Sequence, residues 1–328
     1  MHTLEHNQLL EEINRKYPIV KHSNNYAYGD RYILSKYCRL KDIPDFFNGE
    51  WQHGNIGPER NFHAEFVIGS DGLSHLRKGS RFYVAREDQV EFLKTQGYTN
   101  VFAIGLPIVY VKKRKVERIK KSLLVMPMHT LSDTKEAFNF QAYVSYINSI
   151  KKDFDFICCC LHKACFEKGY WMNEFRSIGV DVVLGADPDD INSLDRLGHL
   201  FSAFEYVTSN AYGSHAAYAA YFGAKFSING PKPSFNKSDY AETTFYKNAP
   251  ELLDILQEWH DTDYYSKIYS FLYTNPSDAI IAIDWAREQL GLDFKKSPYK
   301  LSILLGWKLS FWKRLQSLIK RSFTFPKK

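Results

Sequence analysis

The chain has 328 residues, 45% of them apolar and 24% charged, with 12 prolines and an aromatic load of 24 Phe, 22 Tyr and 6 Trp. That composition excludes a disordered or fibrous protein, and the length suggests about two domains, each with ample surface to bury. The net charge of +6 is unevenly placed, because 295–328 carries ten Lys/Arg and no Asp/Glu while the body before it holds 33 basic and 37 acidic residues, a net −4.

The chain opens with Glu5, Glu11 and Glu12 and no apolar run of secretory length, and no segment offers the ~20 apolar residues of a spanning helix, so a cytoplasmic protein is expected. Residues 51–60 hold Gly54, Gly57 and Pro58 and read as a loop exposing His53, Glu59 and Arg60 together. Such a set could supply a base for a sugar hydroxyl and, in Arg60, a cation for developing phosphate charge; it could equally be a surface loop with a hydrogen-bonded His. Ser70-Asp71-Gly72 is either a turn or a further source of a carboxylate base. Next come a strand over 81–85, a helix over 87–96 with Gly97 as a left-handed C-cap, and a strand over 101–104 closed by Pro107, a β-α-β fragment. The charged run Val111 to Lys121 reads as a linker or as a solvated helix face.

In the second half strand and helix alternate: strands over 122–128, 154–161, 180–184, 205–208 and 225–228, helices over 134–151, 191–204 and 214–222. Short strands apolar on both faces and separated by helices predict a parallel sheet covered on both sides, hence a Rossmann-like domain. The polar residues that follow two of these strands would open on the carboxyl edge of the sheet, where ligands of such folds bind. One set is His129 and Thr130 after the first strand. The other is Ser209, the glycine turn at Gly213, and Ser214-His215 opening an alanine-lined helix. A helix N-terminus with small hydroxyls suits a phosphate, and the same residues also suit an ordinary helix cap. Asp187, Asp189 and Asp190 lack calcium-loop spacing, and the five cysteines, three of them consecutive at 158–160, show no zinc spacing and no disulfide framework. No metal and no cofactor are expected, and the phosphate-loop, dinucleotide and nucleophile-elbow motifs are absent.

Helical periodicity returns over 249–259, 264–273 and 276–289, and such terminal helices commonly pack back across two domains. The tail then forms a basic amphipathic helix over about 300–321, with Leu301, Leu304, Leu305 and Trp307 on its apolar face. A basic, aromatic terminus on an acidic body favours an anionic membrane surface over nucleic acid, with packing on the body as the alternative. The expected organisation is therefore α/β, two Rossmann-like domains facing across a cleft: 1–115, 116–235, a helical return over 236–294 and a tail over 295–328.

The order of motifs resembles bacterial surface-polysaccharide glycosyltransferases of the GT-B fold: His53-Gly54 in an early loop, Arg81 to Ala85, Gly97, Val101 to Pro107, a linker, then Leu123 to His129. The turn from Ser209 to Ser214 sits where that fold holds the donor's phosphates. The resemblance implies a nucleotide-sugar donor on the second domain, a glycan or lipid-linked acceptor on the first, and no metal. The resemblance is to the sialyltransferase-like or the Kdo-transferase-like members; in the sialyltransferase-like ones a His and a Ser turn contact the phosphate of a CMP-sugar, and His129 with Ser209 and Ser214 is similar. It also implies an enzyme of capsule or lipopolysaccharide synthesis, which the basic tail would hold peripherally on the inner face of the cell membrane. A teichoic-acid-type glycerophosphotransferase and a catalytically inactive nucleotide-binding protein of the same fold remain as alternatives.

Overall fold

The computed structural model describes all residues except 1, 23–26, 53, 60–61, 70, 130–133, 135–138, 234–235, 260–261 and 309–328. Two parallel sheets organise the described residues. The first has three strands in the order β1 (Glu50–Trp51), β2 (Arg81–Val84), β3 (Asn100–Ala103), with the short helix α3 (Ala64–Ile68) between β1 and β2 and α4 (Glu87–Thr95) crossing from β2 to β3. The expected C-cap is present: Gly97 adopts φ +85°, and the N–H groups of Gly97 and Tyr98 close onto Lys94 and Leu93.

The second sheet has five strands, β4 (Ile119–Val125), β5 (Phe156–Leu161), β6 (Asp181–Leu184), β7 (Phe204–Ser209) and β8 (Lys225–Ile228), all parallel in the order β6-β5-β4-β7-β8. Counted from β4, that is the 3-2-1-4-5 order of a doubly wound sheet, whose switch point falls between β4 and β7. The crossovers are α5 (Phe140–Ile150), the short helices α6 (Lys163–Glu167) and α7 (Met172–Ser177), α8 (Ser193–Ala203), and α9 (Ser214–Tyr221). Alanines 216, 217, 219 and 220 are fully buried, so α9 lies close on the sheet with almost no side chain between. The two Rossmann-like domains anticipated from the sequence are both present.

Several expectations shift. The strand expected over 122–128 starts three residues earlier and ends at Val125, because Ile119 pairs with Phe204 across a bulge in which Lys121 takes φ +50°. Charge at 120–121 hid this end, since both lysines face solvent. The N-terminal residues do not stay with the first sheet. Helix α1 (His2–Lys16) and the segment after it pack on α8: Arg196, 1% exposed, donates to the Tyr17 carbonyl at 3.0 Å and pairs with buried Asp190 at 2.5 Å, while the Val20 N–H donates to Asp190 at 2.9 Å. Helix α2 (Asp30–Tyr37) follows.

After β8 come α10 (Lys237–Tyr240), α11 (Thr244–Asn248), α12 (Leu252–Trp259), α13 (Thr262–Ile268), α14 (Ile283–Gln289) and α15 (Pro298–Leu304). They return across the molecule as expected. Tyr240, Tyr246, Leu252 and Leu256 cluster with Phe66 of α3, α14 packs on α9, and the Leu106 N–H donates to the Leu290 carbonyl at 3.0 Å.

The tail is corrected over its described part. Leu301 and Leu305, placed on a lipid-facing stripe by periodicity alone, are 0% and 1% exposed. Tyr83 donates its hydroxyl to the Leu304 carbonyl at 2.7 Å, the Asn48 N–H reaches the Leu305 carbonyl at 3.0 Å, and Trp307 donates to the Phe46 carbonyl at 2.8 Å. An amphipathic stripe fits a protein core as well as a bilayer, and here the first domain supplies the core. The remainder, 309–321, lies outside the described residues.

Candidate functional site

The switch point gathers the loops after β4, β5 and β7. Beyond β4 the chain runs through Pro127 to His129, and it is tied to β7 by the Met126 N–H on the Thr208 carbonyl and by the Met128 N–H on Asn210 Oδ1 at 2.9 Å. His129, exposed at this edge, stacks on His162, the residue just after β5, with ring centroids 4.4 Å apart and planes 24° off parallel. His162 Nδ1 accepts the Ala164 N–H at 3.2 Å as the cap of α6, and that bond assigns the ring proton to Nε2, which lies 3.1 Å from the Tyr28 hydroxyl. Tyr28 is carried in by the N-terminal segment at φ +64°, a left-handed conformation that a large side chain adopts only when its surroundings enforce it.

On the other side of the switch point, Ser209 is fully buried and its hydroxyl accepts the Ala211 N–H at 3.3 Å, so it shapes the turn from within. Gly213 is the residue before α9 and no side chain caps the helix; Ser214 sits in the first turn. The Ser214 hydroxyl accepts the Asn55 N–H at 2.9 Å. This joins the two domains, since Asn55 belongs to the loop after β1; its side-chain amide also donates to the Tyr212 hydroxyl at 3.0 Å. Tyr212 stacks on Tyr265 of α13 at 4.5 Å. Gly54 stands at φ +74°, and a Cβ there would come within 2.4 Å of Ser214 Oγ, so the two domains touch at a position that favours glycine.

His215 completes the edge. The residue as a whole is half-buried, but its Nε2 is shut off from solvent and has no hydrogen-bond partner among the described residues. Burial pushes its pKa down to about 3, with the nearby His129 adding to the fall and a bond to the Ala211 backbone opposing it. At neutral pH it is an uncharged imidazole whose single ring proton serves the Ala211 backbone, which leaves the enclosed Nε2 as a lone-pair acceptor.

The structure thus brings together His129, Ser209, Ser214 and His215. Thr130, His53 and Arg60 lie outside the described residues. Glu59 is exposed in the turn closed by the Phe62 N–H on its carbonyl. Asp71 is held by two 3.2 Å hydrogen bonds from Arg77 and one from the Leu73 N–H. Burial would raise its pKa, but those bonds and the Arg77 charge outweigh it, leaving the carboxyl below the usual range and less basic.

Three participants escaped sequence reading. His162 stands at the end of a strand expected from the sequence, and that position was the signal that could have found it. Asn210 and Tyr28 gave no local signal, because the first acts by bridging two strand ends and the second arrives from more than a hundred residues away. All five cysteines are buried, and no disulfide joins any two of them. Among the described residues no group of three or more His, Cys, Asp or Glu is placed to hold a metal ion.

Two Rossmann-like domains meeting at the carboxyl edges of their strands, with terminal helices laid back across both, define the GT-B-like class of architecture. No family model matches the chain, and no curated protein matches it in sequence. Among solved structures, similar chains include a proposed UDP-N-acetylglucosamine 2-epimerase from Listeria monocytogenes (15% identity over 63% of this chain and 56% of that one, TM-score 0.32). A variant of S. aureus TarM in complex with Fondaparinux, alpha-GlcNAc-glycerol and UDP is also similar (13%, 78% and 50%, 0.34), as is a GtfA/B complex (12%, 74% and 52%, 0.30). The chain spans about half the length of each of these proteins.

Proposed function

We propose that the protein is a glycosyltransferase that moves a sugar from a nucleotide-activated donor, a CMP-sugar first among the candidates, to a growing lipid-linked surface glycan. One observation carries this reading: at the switch point of the second sheet, His129, His162, Ser214 and His215 converge against a first-domain loop through the Ser214–Asn55 bond. In such a site the bond from the anomeric carbon to the donor phosphate breaks, its electron pair stays on the phosphate oxygen, and the acceptor oxygen bonds to carbon as its proton passes to a base. The N-terminus of α9, the Ser214 hydroxyl and the exposed ring of His129 would meet the charge that grows on the phosphate. The base would come from the first domain: His53 or Glu59 ahead of Asp71, whose carboxylate is engaged by Arg77.

Metal independence is part of the reading, so turnover should persist in excess chelator. The test is binding first and transfer second. CMP, UDP, GDP and CDP are screened by thermal shift, and the nucleotide that raises Tm is then supplied as its labelled sugar and as its labelled phosphoglycerol. Transfer of sugar to a glycan acceptor supports the proposal. Transfer of phosphoglycerol would make the protein a glycerophosphotransferase of teichoic-acid type, and binding without turnover an inactive relative.

A further inference from the structure

Three segments distant in sequence are fastened side by side: residues 36–41 at the end of α2, 110–116 before β4, and 295–308 around α15. The Tyr37 hydroxyl donates to the Lys296 carbonyl at 2.9 Å, the Lys296 N–H donates to the Tyr110 hydroxyl at 3.1 Å, and Lys295 Nζ donates to the Val109 carbonyl at 2.7 Å. The Lys295 ammonium also lies over the rings of Tyr37 and Tyr110, at 4.8 and 5.3 Å. Together the three segments hold eleven Lys or Arg and no Asp or Glu.

Among the described ion pairs, only Lys36 of this set meets a carboxylate, Asp195 at 2.8 Å. Burial lowers the pKa of both Lys113 and Lys295, and the positive charges of Arg287 and Lys295 lower that of Lys113 further. Like charges crowded in this way repel one another and create a positive potential that attracts anionic surfaces. Exposed apolar side chains stand next to the cations: Phe46 is 67% exposed, Tyr299 47% and Ile43 43%. Phe46 is bonded through its carbonyl to Trp307, close to where the chain continues into 309–328. Asp42 and Asp45 share the loop of Ile43 and Phe46, which restricts that loop to a shallow contact.

We propose that this composite face docks the protein on an anionic lipid bilayer, with the Lys and Arg groups over headgroup phosphates and Phe46, Tyr299 and Ile43 in the interface. Aromatic side chains beside lysines suit the boundary of headgroup and acyl chain, and the aliphatic Ile43 among them has a place in that boundary but no part in stacking on nucleic-acid bases. The proposal moves the membrane contact from the apolar stripe of 301–305, which the core has taken, to a face of the folded body. It goes beyond the transfer reading and does not depend on nucleotide binding.

The test is sedimentation of the full-length protein with phosphatidylglycerol-containing vesicles and with pure phosphatidylcholine vesicles. Two charge-reversed variants are compared: Lys112→Glu with Lys115→Glu and Lys300→Glu on the body, and Lys313→Glu with Arg314→Glu and Lys320→Glu in the tail. The expected result is binding to the anionic vesicles only, weakened about tenfold or more by the body variant and by added salt. Tm and circular dichroism of the body variant establish that it is folded, and the corresponding Gln variants should give an intermediate loss. The proposal is overturned if the wild type ignores anionic vesicles at low salt. It is equally overturned if only the tail variant loses binding, or if a short RNA displaces the protein from vesicles at lower concentration than lipid binds it.

Discussion

Ser214 and Gly54 meet where the two domains touch, and substitutions there separate ligand contact from domain contact. Ser214→Ala removes a hydroxyl that accepts the Asn55 N–H and that would donate to a phosphate. Nucleotide affinity measured by calorimetry should fall by about 1–3 kcal/mol, the range for a hydrogen bond to a charged group, while Tm drops by only a few degrees. Unchanged affinity would remove the phosphate site. Gly54→Ala acts differently. Its Cβ would meet Ser214 Oγ at 2.4 Å in a left-handed backbone, so the Ser214 hydroxyl must turn away from the Asn55 N–H, and thermal or chemical denaturation should show a loss of about 1 kcal/mol or more of stability.

His215 adds a pH dependence with a definite sign. Its folded pKa, about 3, lies below the ordinary imidazole value of 6.5, so between those values the unfolded chain binds the proton more readily. Stability is then unaffected by this group above about pH 6.5 and is lost as pH falls from there towards 3. His215→Gln should flatten that part of the denaturant-midpoint profile; an unaltered slope would mean that the ring is not enclosed as described.

At the scale of elements, the N-terminal segment is anchored on α8 by one buried ion pair. Arg196 and Asp190 are almost completely buried, and the pair also holds the Tyr17 carbonyl and the Val20 N–H. Removing one partner leaves a desolvated charge, so Asp190→Asn or Arg196→Met should each cost about 3–5 kcal/mol, and replacing both by apolar residues should cost no less, because the Tyr17 and Gly185 carbonyls and the Val20 and Asn192 N–H groups lose their partners. Because Tyr28 follows on the same segment and reaches His162, the single substitutions should also weaken nucleotide binding. Chemical denaturation and calorimetry on the three variants check both effects. The same relation explains why this part of the site was silent in the sequence: His162 could be placed at a strand end, but its hydrogen-bonding partner is brought in by packing of α1 and α2.

For the whole molecule, the terminal helices bind the domains together. Arg86 donates to Gln289 Oε1 and to the Gly57 carbonyl, each at 3.2 Å, so α14 is tied to the first domain while it packs on α9 of the second. Helix α15 closes the first domain with Leu301 and Leu305. Each buried leucine removed costs about 2–5 kcal/mol, a large share of the ~5–15 kcal/mol that holds a typical domain. Truncation after Pro298 should therefore unfold the protein or lower its Tm by well over ten degrees. Leu301→Ala should do so in part, and a truncated chain with native Tm would return α15 to the surface.

The sequence by itself determined the elements of the second domain. Apolar runs such as Phe156 to Leu161, separated by helical stretches, permit little but a covered parallel sheet, and in the first domain Gly97 marks the end of α4 through its left-handed backbone. It also brought His129, Ser209, Ser214 and His215 to strand ends, because in a parallel sheet every such end lies on one edge. Tertiary structure decided what long-range contact decides. It alone set the strand order that makes β4 and β7 neighbours, the carriage of Tyr28 into the second domain, and the Asn55 contact on Ser214. It also assigned the stripe of Leu301 and Leu305 to the core, since periodicity reports that a face is apolar and only packing determines what covers it.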